Sequence, residues 1–365
     1  MKLKRKLAAV TCLLLACMMY LGGCSRDEGT AGERNNLGGS GTIRNAECTQ
    51  GLGALYDEEN IYFLEWFPQI GGIGRGYWRL DEQGLLSVKC DIASCTHSDI
   101  DCEAVYTDAY FNGLFMFGDT LYLAYDVKQG GDGMAGKGYI ENCETGEVVF
   151  DNPVPEGMDP DKALDDSSAI FYYNILGDDM IKVEGNYHAY LLDADWNVLY
   201  WYDDVGKLPW ACVRENKYYY VNDVYQLVCV DLDTKEIRVL SGDSKAVCPD
   251  DENGYIYYSD EFSNLHRMEM DTEKDEVIAT DIVYFSAHGD YLYCDIEEDG
   301  HAAGKHILDT EGNLVFDYTD YENMDTHSII AIEGKCYTSF NDGGDSPGVA
   351  QMDADGQNYT EYYLE

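Results

Sequence analysis

From residue 54 onward the chain repeats one pattern of apolar and polar positions. A short apolar strand leads to a turn of Gly, Asp, Glu or Asn. A Tyr-rich strand follows, then a variable loop, a strand ending in an acidic turn, and a last apolar strand. The clearest copy is AVCPDDENGYIYYSD with NLHRMEMDTEKDEVIAT over 246–280, preceded by ACVRENKYYYVND with YQLVCVDLDTKEIRVL over 211–240. Further copies begin at 54, 113, 169, 284 and 329, which places Tyr-rich strands near 62, 122, 172–180, 219, 257, 292 and 337. Alternating patterns bounded by turn residues argue strands, and the mature chain shows no helical stripe. Spacings of about 35 to 60 residues centre on the length of a four-stranded propeller blade. One such unit leaves a sheet face wet and its edges open, whereas radial packing of seven buries the faces. The pattern predicts an all-β chain, a seven-bladed β-propeller of four-stranded antiparallel blades. Because the last copy runs to the end, a strand from about 41 to 50 is expected to complete the seventh sheet.

The first residues follow a different rule. Met1 to Lys6 carries four basic residues, Leu7 to Leu21 is apolar, and Leu21-Gly22-Gly23-Cys24 comes next. A basic start, a short apolar stretch and small residues describe a secretion signal, and the stretch is too short for a comfortable membrane span. With cysteine just after the cut, this resembles the lipobox of bacterial lipoproteins. The resemblance implies cleavage before Cys24 and lipid on its sulfur. Residues 1–23 then form the signal peptide, 24–45 the lipidated cysteine and a polar, Gly- and Asn-rich tether, and 46–365 the propeller.

Charge narrows the partners. Removing 1–23 takes away four basic residues and no acidic one, leaving 20 Lys+Arg against 69 Asp+Glu and a formal charge of −49. Such a surface repels phosphate backbones, so no nucleic-acid partner is expected. It also repels anionic headgroups, so the lipid must hold the chain at the membrane. The acidity does not mean disorder, because 13% of residues are aromatic and 31 are Tyr.

The sharpest side-chain cluster lies between the first two copies, in KCDIASCTHSDIDCEA. Cys90, Cys95, His97 and Cys102 put three thiols and one imidazole within 13 residues. Three thiolates and a neutral imidazole are a recognised tetrahedral zinc set. The C-x4-C-x-H-x4-C spacing lacks the common C-x2-C pairs, and an exported chain equally permits a disulfide beside an exposed histidine. Both readings make the segment a staple for a long loop. Lipobox, tether, Tyr-rich repeats and this insert together resemble uncharacterised lipoproteins of clostridial-type gut bacteria with propeller-like domains. That likeness implies fold and surface location, and no activity. The cysteines at 48, 143, 212, 229, 248, 294 and 336 sit singly in predicted strands and read as small buried hydrophobes.

Other motifs fail on context. Gly131, Gly133 and Gly136 match GxGxxG, but Gly138 follows Lys137 where a P-loop needs Ser or Thr, and no helix follows. HExxH and GxSxG are missing, so zincin and serine-hydrolase chemistry lack their signatures. Adjacent carboxylates such as Asp178-Asp179 carry no weight in so acidic a chain. Asp353-Ala354-Asp355-Gly356 echoes a calcium loop without the remaining ligands and reads as a hairpin turn. Trp66, Trp78, Trp201 and Trp210 lie near predicted loops and could stack on sugar rings, against packing between blades as the alternative. The sequence therefore predicts a membrane-anchored extracytoplasmic lipoprotein that binds a glycan, a peptide or an envelope protein. A structural subunit of an envelope complex is the alternative, with a polysaccharide-active enzyme behind it.

Overall fold

The computed structural model describes residues 42–48, 54–66, 75–89, 109–129, 134–158, 172–176, 179–185, 187–203, 205, 210–242, 244, 246–250, 253–298, 301–340 and 347–364. Among these, the strands form seven antiparallel sheets in which consecutive strands are neighbours. We number them blades 1 to 7 and call the strands of each first to fourth, from the channel outward. Helical structure among the described residues is a single 3-10 turn, Thr326–Ser328. No helix among them is long and apolar enough to cross a membrane.

The second strands explain why the units pack radially. They are Asn60–Trp66, Thr120–Gln129, Met180–Glu184, Lys217–Val221, Tyr255–Ser259, Tyr291–Glu298 and Lys335–Phe340. Their third residues are Tyr62, Tyr122, Lys182, Tyr219, Tyr257, Tyr293 and Tyr337, all buried. Each of the six tyrosines belongs to the apolar cluster shared with the next blade: Tyr62 with blade 2, Tyr122 with blade 3, and so on to Tyr337 with blade 1. A long aromatic side chain at one fixed register fills each inter-blade gap, because residues two apart share a sheet face. The exception, Lys182, sits between blades 3 and 4.

Turns repeat as strictly as strands. Six third strands end in an Asp or Asn; in five, its Oδ1 accepts two backbone N–H groups of the tight turn that follows, and in the last Asp353 Oδ2 accepts from the Asn358 side chain. Asp193 accepts from Asp195 and Asn197, Asp231 from Asp233 and Thr234, and Asp309 from Glu311 and Asn313. Each turn then places a residue at positive φ: Gly84, Gly146, Trp196, Lys235, Glu273, Gly312 and Gly356, the last followed by Asn358. The acidic turn at Asp353–Gly356 is one member of this series, a hairpin turn as its composition suggests.

Ring closure meets the sequence-based expectation in part: an N-terminal strand does join the last sheet, but as its fifth. The last sheet already has four strands of its own, Ile330–Ile332, Lys335–Phe340, Gly348–Asp353 and Thr360–Tyr363. The N-terminal segment adds fifth strands at the channel edge of two blades. Arg44–Asn45 pairs with Leu55–Tyr56 in blade 1, and Glu47–Cys48 pairs with Ile330–Ile332 in blade 7. The segment thus spans the seam from the inside, and its first paired residue lies two positions earlier than the tether boundary predicts. Outside, Leu364 forms a parallel bridge with Leu86. One apolar cluster joins Phe63, Trp78 and Leu86 of blade 1 to Ile330, Tyr337 and Val349 of blade 7. Six clusters together cover all seven blade-to-blade interfaces, so the ring is closed.

Candidate functional site

Antiparallel connectivity sorts the loops onto two faces. Turns joining first to second and third to fourth strands fall on one face; turns joining second to third strands and the blade-to-blade connections fall on the other. The first face is built of short turns, and in six blades the turn after the first strand exposes a carboxylate: Glu58 and Glu59, Asp119, Asp179, Glu215, Asp290 and Glu333. The opposite face carries the blade-to-blade connections, among them 318–329, which folds back as a 3-10 turn at Thr326–Ser328. In propellers, as in other scaffolds, variable connections on rigid sheets are where recognition concentrates. This is the candidate functional face.

A hydrogen-bonded group stands on it between blades 6 and 7. Asp295, near the loop end of its second strand, accepts from Thr326 Oγ1 at 2.5 Å, and His327 Nε2 lies 3.4 Å from its other oxygen. The Tyr318 hydroxyl is 2.8 Å from Thr326 Oγ1, deep in the blade 6–7 core. The His327 ring stacks on Tyr284 with centroids 3.6 Å apart. Asp325 caps the short helical turn by accepting from His327 N, which fixes the histidine's backbone. The bond to Asp295 raises the His327 pKa above its ordinary value, while burial opposes it. About half of the His327 side chain is exposed to solvent. A histidine oriented by a carboxylate and backed by an aromatic face can bind an anionic or hydroxyl-bearing group, or hold a proton for one.

Beside it, blades 4 and 5 raise apolar side chains from the same face. Val224 and Tyr225, in the turn after the second strand of blade 4, are 56% and 37% exposed, and Phe262, in the corresponding turn of blade 5, is 74% exposed. The turns are held rigidly: Asn222 Oδ1 accepts from Val224 and Gln226, and Asp260 Oδ1 from Phe262 and Asn264. Rigid turns presenting a phenylalanine to water gain nothing from folding alone.

The residues singled out in the sequence are placed as follows. Trp78 is fully buried in the core that closes the ring, and Trp210 is buried among Cys212, Tyr219 and Val247 between blades 4 and 5. Trp201 is half-buried against the blade 2–3 core, opposite Tyr190. Trp66 ends the second strand of blade 1, and its side chain lies outside the described residues. Cys24, Cys90, Cys95, His97 and Cys102 lie outside them as well. Among the described residues no group of three or more His, Cys, Asp or Glu could hold a metal ion. The cysteines 143, 212, 229, 248, 294 and 336 are buried, as their positions in predicted strands suggest. Sequence reading missed His327, Asp295 and Tyr284, which come from separate elements and share no local spacing. It also missed Lys182, although a lysine where six repeats have tyrosine is a visible signal.

No protein-family model matches the chain, and no curated protein does. Among solved structures it is similar to BamB from Moraxella catarrhalis, at 11% identity over 84% of this chain and 81% of that one, with a TM-score of 0.40. The computationally designed Ika8 protein gives 10% identity, 89% and 97% coverage and a TM-score of 0.43. The β-propeller domain of Cps50 (Swd1) from Myceliophteria thermophila gives 11% identity, 69% and 84% coverage and a TM-score of 0.46. The blade count itself rests on the strand pairing of this chain.

Proposed function

We propose that the chain is a lipid-anchored, extracytoplasmic binding protein that holds a protein or peptide partner on the loop face of its propeller. The observation that carries this reading is the exposed triplet Val224, Tyr225 and Phe262 on two consecutive, hydrogen-bonded turns. Apolar side chains at the centre of an interface supply most of its energy, and an acidic surround selects for basic partners. The sequence 1–24 supports the location: the lipobox-like Leu21-Gly22-Gly23-Cys24 would carry the lipid, and a polar segment follows it. Cys90, Cys95, His97 and Cys102 then staple the blade 1–2 connection, as a zinc set or as a disulfide. Native mass spectrometry before and after chelation separates the two, by loss of a metal mass or by none.

A photo-crosslinking residue placed at Phe262 tests the binding reading in the producing cell. It is expected to give a discrete adduct that Val224→Ser weakens, while the same probe at Glu311, on the opposite face, gives none. Equal labelling from both positions would overturn the reading. Metabolic labelling with an alkyne fatty acid tests the anchor, with signal expected in the native protein and lost in Cys24→Ser.

A further inference from the structure

Blade 3 departs from the other six at three positions on one sheet face. Lys182 stands where the others place Tyr. Glu184, two residues on, replaces Leu64, Ala124, Val221, Ser259, Asp295 and Ser339 of the other blades. Asn174, the direct antiparallel partner of Lys182, occupies the position of Leu55, Phe115, Cys212, Cys248, Ser286 and Ile330. Direct partners and residues two apart share a face, so all three side chains project toward blade 4.

That face is dry. Lys182 is 1% exposed and Glu184 3%, and their charged ends are in contact. Tyr202 and Tyr218 pack beside them with hydroxyls 3.2 Å apart, and both rings feel the Glu184 charge. The Asn174 Oδ1 is buried without a hydrogen-bond partner. An ion pair inserted into an aromatic interface costs more in desolvation than it returns by attraction, so stability alone does not account for it. Burial pushes the Glu184 carboxyl up, while the Lys182 charge beside it acts in the opposite direction. A lysine amine that has given up its proton to a neighbouring carboxylate is a nucleophile.

We propose that Lys182, Asn174 and Glu184 form a self-processing site that joins the lysine to the asparagine through an amide. The Lys182 Nζ attacks Asn174 Cγ, forming the N–C bond. The bond from Cγ to Nδ2 breaks, and Nδ2 leaves as ammonia. Of the two protons that Nζ gives up, Glu184 passes one to the departing nitrogen and keeps the other, so ammonium and carboxylate end as an amide and a carboxylic acid. No oxidant, metal or second substrate enters. The orphan Oδ1 is the oxygen on which charge develops, in a site where water cannot compete. Cross-strand Cβ atoms about 5 Å apart put the amide within reach of the lysine chain. The product is a covalent tie across the channel-side hairpin of blade 3, formed at the blade's own register. It stands on the opposite side of the ring from the Asp295 group and does not depend on the binding reading.

Tryptic mapping of the purified protein reads the tie directly, since Lys182 would no longer be cut. The expected result is a peptide spanning 163–207 that is one ammonia lighter than its sequence, with no free 163–182. Asn174→Asp is expected to lose one water in place of ammonia, and Lys182→Met and Glu184→Gln to give peptides of full mass. Intact 163–182 of unmodified mass from the folded native protein would overturn the proposal. So would an ammonia-lighter peptide that persists in Lys182→Met, which would locate the loss elsewhere.

Discussion

Leu364, near the end of the last blade, lies in a parallel bridge with Leu86 on the outer strand of the first. The same seam is tied on its channel side by Glu47–Cys48 pairing with Ile330–Ile332. Between these ties, Ser339 Oγ donates to Glu65, and Phe63 stands 6.1 Å from Tyr337. The seam is therefore held at both radial limits by backbone pairing and between them by side chains. Arg44 pairs with Glu333 at 3.6 Å across it, an exposed ion pair that contributes little.

Asn45 carries the N-terminal segment's tie to blade 2. Its Nδ2 donates to Met116 O at 2.7 Å, and its Oδ1 accepts from Met116 N at 2.8 Å. Asn45→Ala removes both and leaves a part-buried peptide group unpaired, at a cost of about 2 kcal/mol. Chemical denaturation should show this as a lower midpoint at unchanged slope. Asn313→Ala, in an exposed outer turn, is expected to cost less than half as much.

Gly312 and Gly289 both sit at positive φ, and they differ in space. A Cβ on Gly312 would lie 2.2 Å from the Ile278 carbonyl oxygen of the neighbouring blade, whereas one on Gly289 meets nothing within 4 Å. Gly289→Ala is expected to cost about 1 kcal/mol, the left-handed penalty alone. Gly312→Ala adds a backbone clash and should cost about 3 kcal/mol. Thermal melts of the two variants check the difference; equal losses would mean that blades 5 and 6 do not pack as described.

His188 sets an acid limit. It is fully buried, with Nε2 3.3 Å from Asn152 Oδ1, Nδ1 unpartnered, and no carboxylate to balance a charge. Burial lowers its pKa to about 4 from 6.5. The unfolded chain therefore binds the extra proton first as pH falls below 6.5. Stability is full above that value and declines down to about pH 4, by about 3 kcal/mol from this group. Denaturation midpoints across that range should slope less in His188→Gln than in the native protein.

Much of the fold was legible because the tyrosine register and the acidic turns repeat with local spacing. Six second strands follow from Tyr62, Tyr122, Tyr219, Tyr257, Tyr293, Tyr337 and the turn residues before each. Blade 3 blurred, since Tyr172 and Tyr173 fall in its first strand while Lys182 takes the usual tyrosine position. The split course of 44–48 was not legible: two-residue strands have no periodicity, and their partners lie in opposite ends of the chain. The Asp295 and His327 group was hidden for a related reason. Its members are 32 residues apart and meet only because the blade 6–7 connection folds back over a second strand.

Ring closure underlies the division into two faces, and a disulfide engineered at its seam tests it most directly. Leu86→Cys with Leu364→Cys places two thiols on bridged residues, within the reach a disulfide requires. The closed ring predicts that the bond forms in the folded protein, seen as a linked peptide in a non-reducing digest, and raises the melting temperature. Free thiols at both positions in fully folded protein under oxidising conditions would contradict it.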